Sequence, residues 1–229
     1  MLYHVARVLV KGKWNIMYLE EIVRAVQNGK AAAVKEQVQK AIEEGVSARE
    51  ILNDGLLSAM SVIGDKFTKN KIYVPEVLLA ARATNVGIAL LQPLFAEENI
   101  KPLGKVVIGT VQGDIHDIGK NLVGMLMKGI GFEVHDIGVD IAPLQFVKEA
   151  QKIGADIVCI SSLLTTSMIN MKWVIDEFEI RGIRDKHLIM VGGALVTSQF
   201  AKQIGADLFS AEAGAAARLA RKQLIERNS

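Results

Sequence analysis

The chain has 229 residues, half of them hydrophobic, which is enough to bury one sizeable core or two smaller ones; two compact domains are the expectation. Lysine and arginine number 27 against 25 aspartates and glutamates, and the two signs are interspersed, so charge gives no reason to expect a nucleic-acid or membrane partner. Cys159 is the single cysteine and sits in an apolar run, which excludes an intramolecular disulfide and fits a reducing cytoplasm.

Residues 1–16 read as an N-terminal extension. They carry Arg7, Lys11 and Lys13 beside a short apolar stretch, without the long apolar region and cleavage site of a secretory signal, so no targeting sequence is expected. Clean helical patterning begins at Met17, which is an alternative start. No uninterrupted apolar run reaches the roughly 18 residues that suggest a membrane span.

From Met17 to about Phe95 apolar residues recur at helical spacing. Leu19, Ile22, Val23 and Val26 mark a first helix ended by Asn28-Gly29, and a second runs from about Lys30 to Glu44 before Gly45. Ser47-Ala-Arg-Glu50 is a capping box that opens a third, presenting Ile51, Leu56, Ala59, Met60 and Ile63. Pro75 suits the first turn of a fourth helix reaching Leu91. Four helices with short connections predict a small bundle over 17–95.

The polar segment 96–104, with Pro102 and Gly104, separates two periodicities and reads as the linker. Beyond it, apolar runs at 106–111, 132–134, 157–160, 188–191 and 208–209 alternate with helix-length amphipathic segments. That alternation predicts an α/β domain over 105–229, a doubly wound five-stranded parallel sheet of flavodoxin-like type. Ligands of such sheets bind beyond the carboxyl ends of the strands, so the loops there are where function is expected.

The loop after the first strand reads Gln112-Gly113-Asp114-Ile115-His116-Asp117-Ile118-Gly119-Lys120. A neutral imidazole is a good transition-metal ligand, and a carboxylate on its other nitrogen fixes the tautomer and raises basicity; Asp114 suits that part. By residue chemistry alone such a histidine is more often a surface or capping residue than a ligand. A closed zinc site would need further ligands, and His4, His135 and His187 stand in no ligand-like motif. A phosphate loop would need Gly-Lys-Ser/Thr, where the chain has Gly119-Lys120-Asn121. A receiver domain would carry a lysine late in the sheet, where Gly192-Gly193 stands.

The Asp-x-His-x-x-Gly pattern of Asp114, His116 and Gly119, followed by Ser161-Ser-Leu163 and Gly192-Gly193, resembles the signature of cobalamin-binding domains in methionine synthase, base-off mutases and methyl-carrying corrinoid proteins. The helical segment, with Ile63-Gly-Asp-Lys-Phe67 and Ile72-Tyr-Val-Pro-Glu-Val-Leu-Leu79, resembles the cap that precedes that domain in methyl carriers, although Ala83-Thr84-Asn85 departs from the usual Ala-Met. The resemblance spans about residues 17–225.

It implies a cobalamin or related corrinoid cofactor, methylcobalamin in the loaded form, with His116 as the lower axial ligand of cobalt. Asp114 and Ser167 would complete a hydrogen-bonded relay behind the imidazole. Gly113, Ile115, Asp117, Ile118 and Gly119 would form the rest of the cofactor-binding loop. Ser161, Leu163 and Thr165 would line the slot for the nucleotide tail, Gly192 and Gly193 would leave room for it, and Ala213 would lie beside its base. Met60 and Phe67 would shield the upper cobalt face, although both also suit a helical core. The implied role is a methyl carrier, a subunit with no catalysis of its own. Its implied partners are a substrate-specific methyltransferase, an acceptor methyltransferase and a reductive activator protein. Alternatives are the cobalamin subunit of a carbon-skeleton mutase, against which the cap argues, and a corrinoid sensor or storage protein. The implied donors are methanol, a methylamine, betaine or an aryl methyl ether, and the acceptors tetrahydrofolate or a thiol coenzyme.

Overall fold

The structure, a computed structural model, describes residues 2–228, with side chains from Asn15 onward. Two compact units divide between Lys101 and Pro102.

The first unit is helical. Helices α1 (Leu2–Gln27) and α2 (Ala31–Glu43) end at Gly29 and Gly45, both in the left-handed region that glycine adopts without cost. The helix of α1 begins well before Met17, so the segment expected to belong to no element continues into it. Helix α3 (Ala48–Glu50) opens on the capping box: Glu50 N–H donates to Ser47 Oγ and Ser47 N–H to Glu50 Oε2, each at 3.2 Å. Glu98 accepts from Ala48 and Arg49 N–H at 2.7 and 3.0 Å, covering the remaining donors of that turn.

An unbroken third helix was the expectation, whereas the chain widens into a π-helical stretch over Ile51–Leu57 before α4 (Ser58–Thr68). Gly55 lies in that stretch, where a side chain would crowd Ile22 of α1 at 3.1 Å. Helix α5 (Val74–Phe95) runs past Leu91 and through Pro93. The carbonyl that Pro93 deprives of a partner belongs to Ala89, on the exposed face, where water can take its place. By length and composition α5 is apolar enough to cross a membrane, although polar residues interrupt its apolar run. It carries Glu76 and Arg82, and it buries Val77, Ala80, Ala83, Gly87 and Leu91 as it packs on α1, α2 and α4, the placement of a bundle's central helix.

The second unit is a five-stranded sheet whose strands all run parallel, in the order β2-β1-β3-β4-β5. The strands are β1 (Lys105–Thr110), β2 (Glu133–Asp136), β3 (Ile157–Ser161), β4 (Leu188–Gly192) and β5 (Leu208–Phe209). Helices α6 (Ile118–Gly129), α7 (Pro143–Ile153), α8 (Ile169–Ile180), α9 (Ser198–Gln203) and α10 (Ala213–Arg227) connect and cover them. Val107, Val158, Ile160, Ile189 and Val191 form one core with Phe146 and Val147 of α7 and Val174, Ile175 and Phe178 of α8. Alternation along the strands turns Ile108, Cys159 and Met190 to the other face, that of α6 and α10. The chain leaves β1 to one side for β2, and β3 lies on the other side, so the switch in strand order falls between β1 and β3.

His187 closes the amino-terminal edge of β4. Its buried ring donates from Nδ1 to the Ala155 carbonyl at 2.6 Å and meets Phe178 edge-on, with ring centroids 5.2 Å apart. Burial, helped by Arg227 and Lys186, holds its pKa below the ordinary 6.5, while the Ala155 carbonyl pulls the other way. The folded protein therefore resists a proton that the unfolded chain accepts. Stability from this residue is complete above about pH 6.5 and falls as pH drops below it. Urea midpoints of the wild type and His187→Gln at about pH 8 and 5.5 check this: the wild type is expected to lose more stability on acidification than the variant. Equal losses would contradict it.

Candidate cofactor site

The loop from β1 to α6 is braced from three directions. Val111 N–H donates to Ser161 O at 3.0 Å, which extends the β1–β3 pairing beyond the strand, and Gln112 N–H donates to Ile141 O at 2.9 Å. Gly113 turns with φ +80, and its N–H donates to Asp140 Oδ1 at 2.7 Å. Asn170 of α8 donates to the Gln112 carbonyl at 2.6 Å, and Thr110 Oγ1 to the His116 carbonyl at 2.9 Å. The backbone that carries His116 is thereby fixed to both strands at the switch point.

Asp114 is the anchor of the site and is buried. Its Oδ1 accepts from His116 N–H at 3.0 Å and lies 2.7 Å from His116 Nδ1. Its Oδ2 accepts from Leu163 N–H at 2.6 Å, Leu164 N–H at 3.3 Å, Ser167 Oγ at 3.1 Å and Ser162 Oγ at 3.4 Å. Burial opposes ionisation, but the donors from His116, Leu163 and Ser167 outweigh it and hold the carboxyl well below the usual carboxylate range. A carboxylate at this position takes its hydrogen bond from Nδ1–H, which leaves the Nε2 lone pair of a half-exposed imidazole for a ligand.

Beside His116 lies a cavity of about 500 Å³, within the size range of small-molecule sites. Ile115, His116, Asp117, Ile118 and Gly119 line it from the loop, Ser161 and Leu163 from the end of β3, and Gly192 and Gly193 from the end of β4. Ile115 and Ile118 are about three-quarters exposed, an unusual condition for isoleucines flanking a cavity. Gly113 stands outside the lining and serves the turn. Asp114 and Ser167 stand behind the histidine, both buried. Thr165 is exposed and outside the lining. Ala213 is also outside it; Ala216, one helical turn further along α10, reaches the cavity instead.

Several residues of the site were not singled out by motif. Ser162 joins Ser167 by a 2.7 Å hydroxyl–hydroxyl hydrogen bond, so the group behind Asp114 has two serines. Lys120 lines the cavity with its side chain almost wholly buried, its ammonium taken by Asp136 and Asn121. Ile108, Cys159 and Met190 lie deeper. In the helical unit Met60 is fully buried and Phe67 half-buried.

The donor set suits a metal that brings most of its own ligands. Among the described residues no cluster of three or more His, Cys, Asp or Glu side chains could hold an ion, and His116 is the one imidazole among the residues that line the cavity. An apolar cavity adjoins that histidine, and its rim lacks side chains at Gly119, where a Cβ would meet nothing within 4 Å, and at Gly192. These features fit a bulky macrocycle with an appended tail.

Fold and site together define a flavodoxin-like unit with a carboxylate-oriented histidine at the mouth of a large apolar cavity. A model described as a B12 binding domain matches residues 104–220, and a second with the same description matches 18–92. A corrinoid protein of Desulfitobacterium hafniense (strain Y51) is 38% identical over 209 residues, covering 90% of this chain and 97% of that one. The dimethylamine corrinoid protein of Methanosarcina barkeri is 39% identical over 207 residues, with the same coverage of each. Among solved structures, a chain of the methanol:cobalamin methyltransferase complex of Methanosarcina barkeri aligns with a TM-score of 0.80 at 30% identity, covering 91% of this chain and 80% of that one. The chain belongs to the B12-binding corrinoid proteins of methyltransferase systems, and its cofactor is a corrinoid.

Proposed function

We propose that this protein carries a methyl group between two methyltransferases, with His116 as the lower ligand of the corrinoid. The observation that carries the reading is the Asp114–His116 pair at the mouth of the apolar cavity. When bound, the corrinoid supplies the cobalt to which a methyl group is transferred and from which it leaves.

The residues of the chain do the rest. Asp114 orients the imidazole and holds its proton on Nδ1. Ser167 and Ser162 continue the hydrogen-bonded series behind Asp114, so a proton moved toward or away from Nδ1 changes how strongly Nε2 donates to a metal. Ser161, Leu163, Gly192 and Gly193 hold the nucleotide tail in the cavity, with Ala216 beside them.

A substrate-specific methyltransferase, an acceptor methyltransferase and a reductive activator are the partners in this reading. The relative found in a methanol:cobalamin methyltransferase complex supports the first of them. The full-length protein, loaded with methylcobalamin, is mixed in turn with purified methyltransferases that act on thiol coenzymes or tetrahydrofolate, and the corrinoid spectrum is followed. Loss of the methyl group to one of these acceptors, and its restoration by a methylamine or methanol methyltransferase, is expected. A protein that holds corrinoid firmly yet exchanges methyl with none of them would be a store or sensor.

A further inference from the structure

We propose that the cavity selects its corrinoid by the lower base, taking in a benzimidazole-type base and disfavouring an adenine-type one. The inference rests on the carrier reading, in which the nucleotide tail enters the cavity. In-register pairing aligns Thr110, Ser161 and Gly192 across the carboxyl edge of the sheet, and Ile108, Cys159 and Met190 two residues deeper on the same face. At β4 the edge row carries no side chain, since one at Gly192 would crowd the Ser210 carbonyl oxygen at 3.2 Å, and the deeper row closes the space beneath as its floor.

The floor has no strong hydrogen-bonding side chain. Ile108 and Met190 are apolar, and burial pushes the Cys159 thiol up to about 12, so it stays a neutral, weak donor. Apart from His116 and Asp117 on the loop at the mouth, most polar side chains of the walls are already engaged. Lys120 is held by Asp136 and Asn121, the Ser162 hydroxyl by Ser167, and the Ser210 hydroxyl by the backbone of Glu212. Ser161 differs: among the described residues its hydroxyl makes no hydrogen bond, and it lines the cavity just above the floor.

The cavity thus offers one uncommitted side-chain hydroxyl over an apolar floor. A benzimidazole released from cobalt has one free ring nitrogen, which that hydroxyl satisfies, and its carbocyclic edge suits the floor. An adenine brings further ring nitrogens and an amino group. Buried against Ile108, Cys159 and Met190, these lose their water without replacement, and unmatched polar groups are what binding sites reject most strongly.

The test uses the full-length protein freed of corrinoid and titrated with cobalamin and with the adenine-containing cobamide bearing the same upper ligand, bound corrinoid being measured by ultrafiltration and absorbance. Cobalamin is expected to bind at least about tenfold tighter, a difference of about 1.4 kcal/mol. Met190→Gln, which adds a donor and an acceptor to the floor, should narrow the ratio, and Met190→Leu should keep it. Equal affinities in the wild type, or a ratio that Met190→Gln leaves unchanged, would overturn this inference while leaving the carrier reading intact. Retention of neither corrinoid would bring down both.

Discussion

Gly193→Ala is expected to destabilise the α/β unit by about 3 kcal/mol or more, placing it among the exceptional losses for a single added methyl group. Gly193 has φ +146, a conformation that residues with a side chain rarely adopt. A Cβ built there would lie 1.8 Å from the Ser162 carbonyl oxygen and 2.9 Å from its carbon, and both are backbone atoms that cannot swing aside as a side-chain tip would. The backbone of β3's end, of β4's end, or of both must move. Ser162 is bonded to Ser167 and Asp114, so the displacement reaches the group that orients His116. Urea unfolding should show the midpoint falling sharply, with corrinoid retention lost in parallel. A variant as stable as the wild type would mean that the close approach of β4's end to Ser162 is not as described.

Asp114→Asn is expected to cost about 2–4 kcal/mol of stability and to weaken corrinoid binding by about 10–100-fold. The carboxylate accepts six hydrogen bonds, from two groups of His116, from the backbone of Leu163 and Leu164, and from the hydroxyls of Ser162 and Ser167. An amide has one accepting oxygen. If it faces Leu163, its NH2 points at His116 N–H and at Nδ1–H; if it is turned round, the NH2 meets Leu163 N–H, now 2.6 Å from an acceptor, and the unpaired donor remains buried. The variant should also release the imidazole from its orientation, so that the protein that still folds binds corrinoid poorly. Stability within about 0.5 kcal/mol of the wild type, with full corrinoid retention, would show that the carboxylate is not the anchor.

Much of this arrangement was legible in the residues. Apolar periodicity changes from helical to strand-helix alternation after the bundle, and the sheet that follows has the expected five parallel strands. The Asp114, His116 and Gly119 spacing pointed to the loop that the structure puts at the mouth of the cavity. What it left unread depended on three-dimensional neighbours. Strand alternation puts Cys159 and Ser161 on the cavity face, but the meeting of the Ser162 hydroxyl with Asp114 depends on a loop 48 residues away. Lys120 resembles an ordinary helix-surface lysine until Asp136, brought up by β2, takes its charge. Ala216 lines the cavity and Ala213 does not, because α10 starts at Ala213 and the lining falls one turn later. The π-helical stretch at Ile51–Leu57 has no composition of its own and lies where Gly55 comes close to Ile22 of α1.

The central claim is that His116 ligates the corrinoid, and its most direct test is the visible spectrum of the full-length protein reconstituted with methylcobalamin and freed of unbound cofactor, compared with that of His116→Ala. The wild type is predicted to retain the cofactor with a histidine-ligated spectrum, while the variant shows the spectrum of a corrinoid lacking that ligand. Identical spectra, or a wild type that retains no corrinoid, would contradict it.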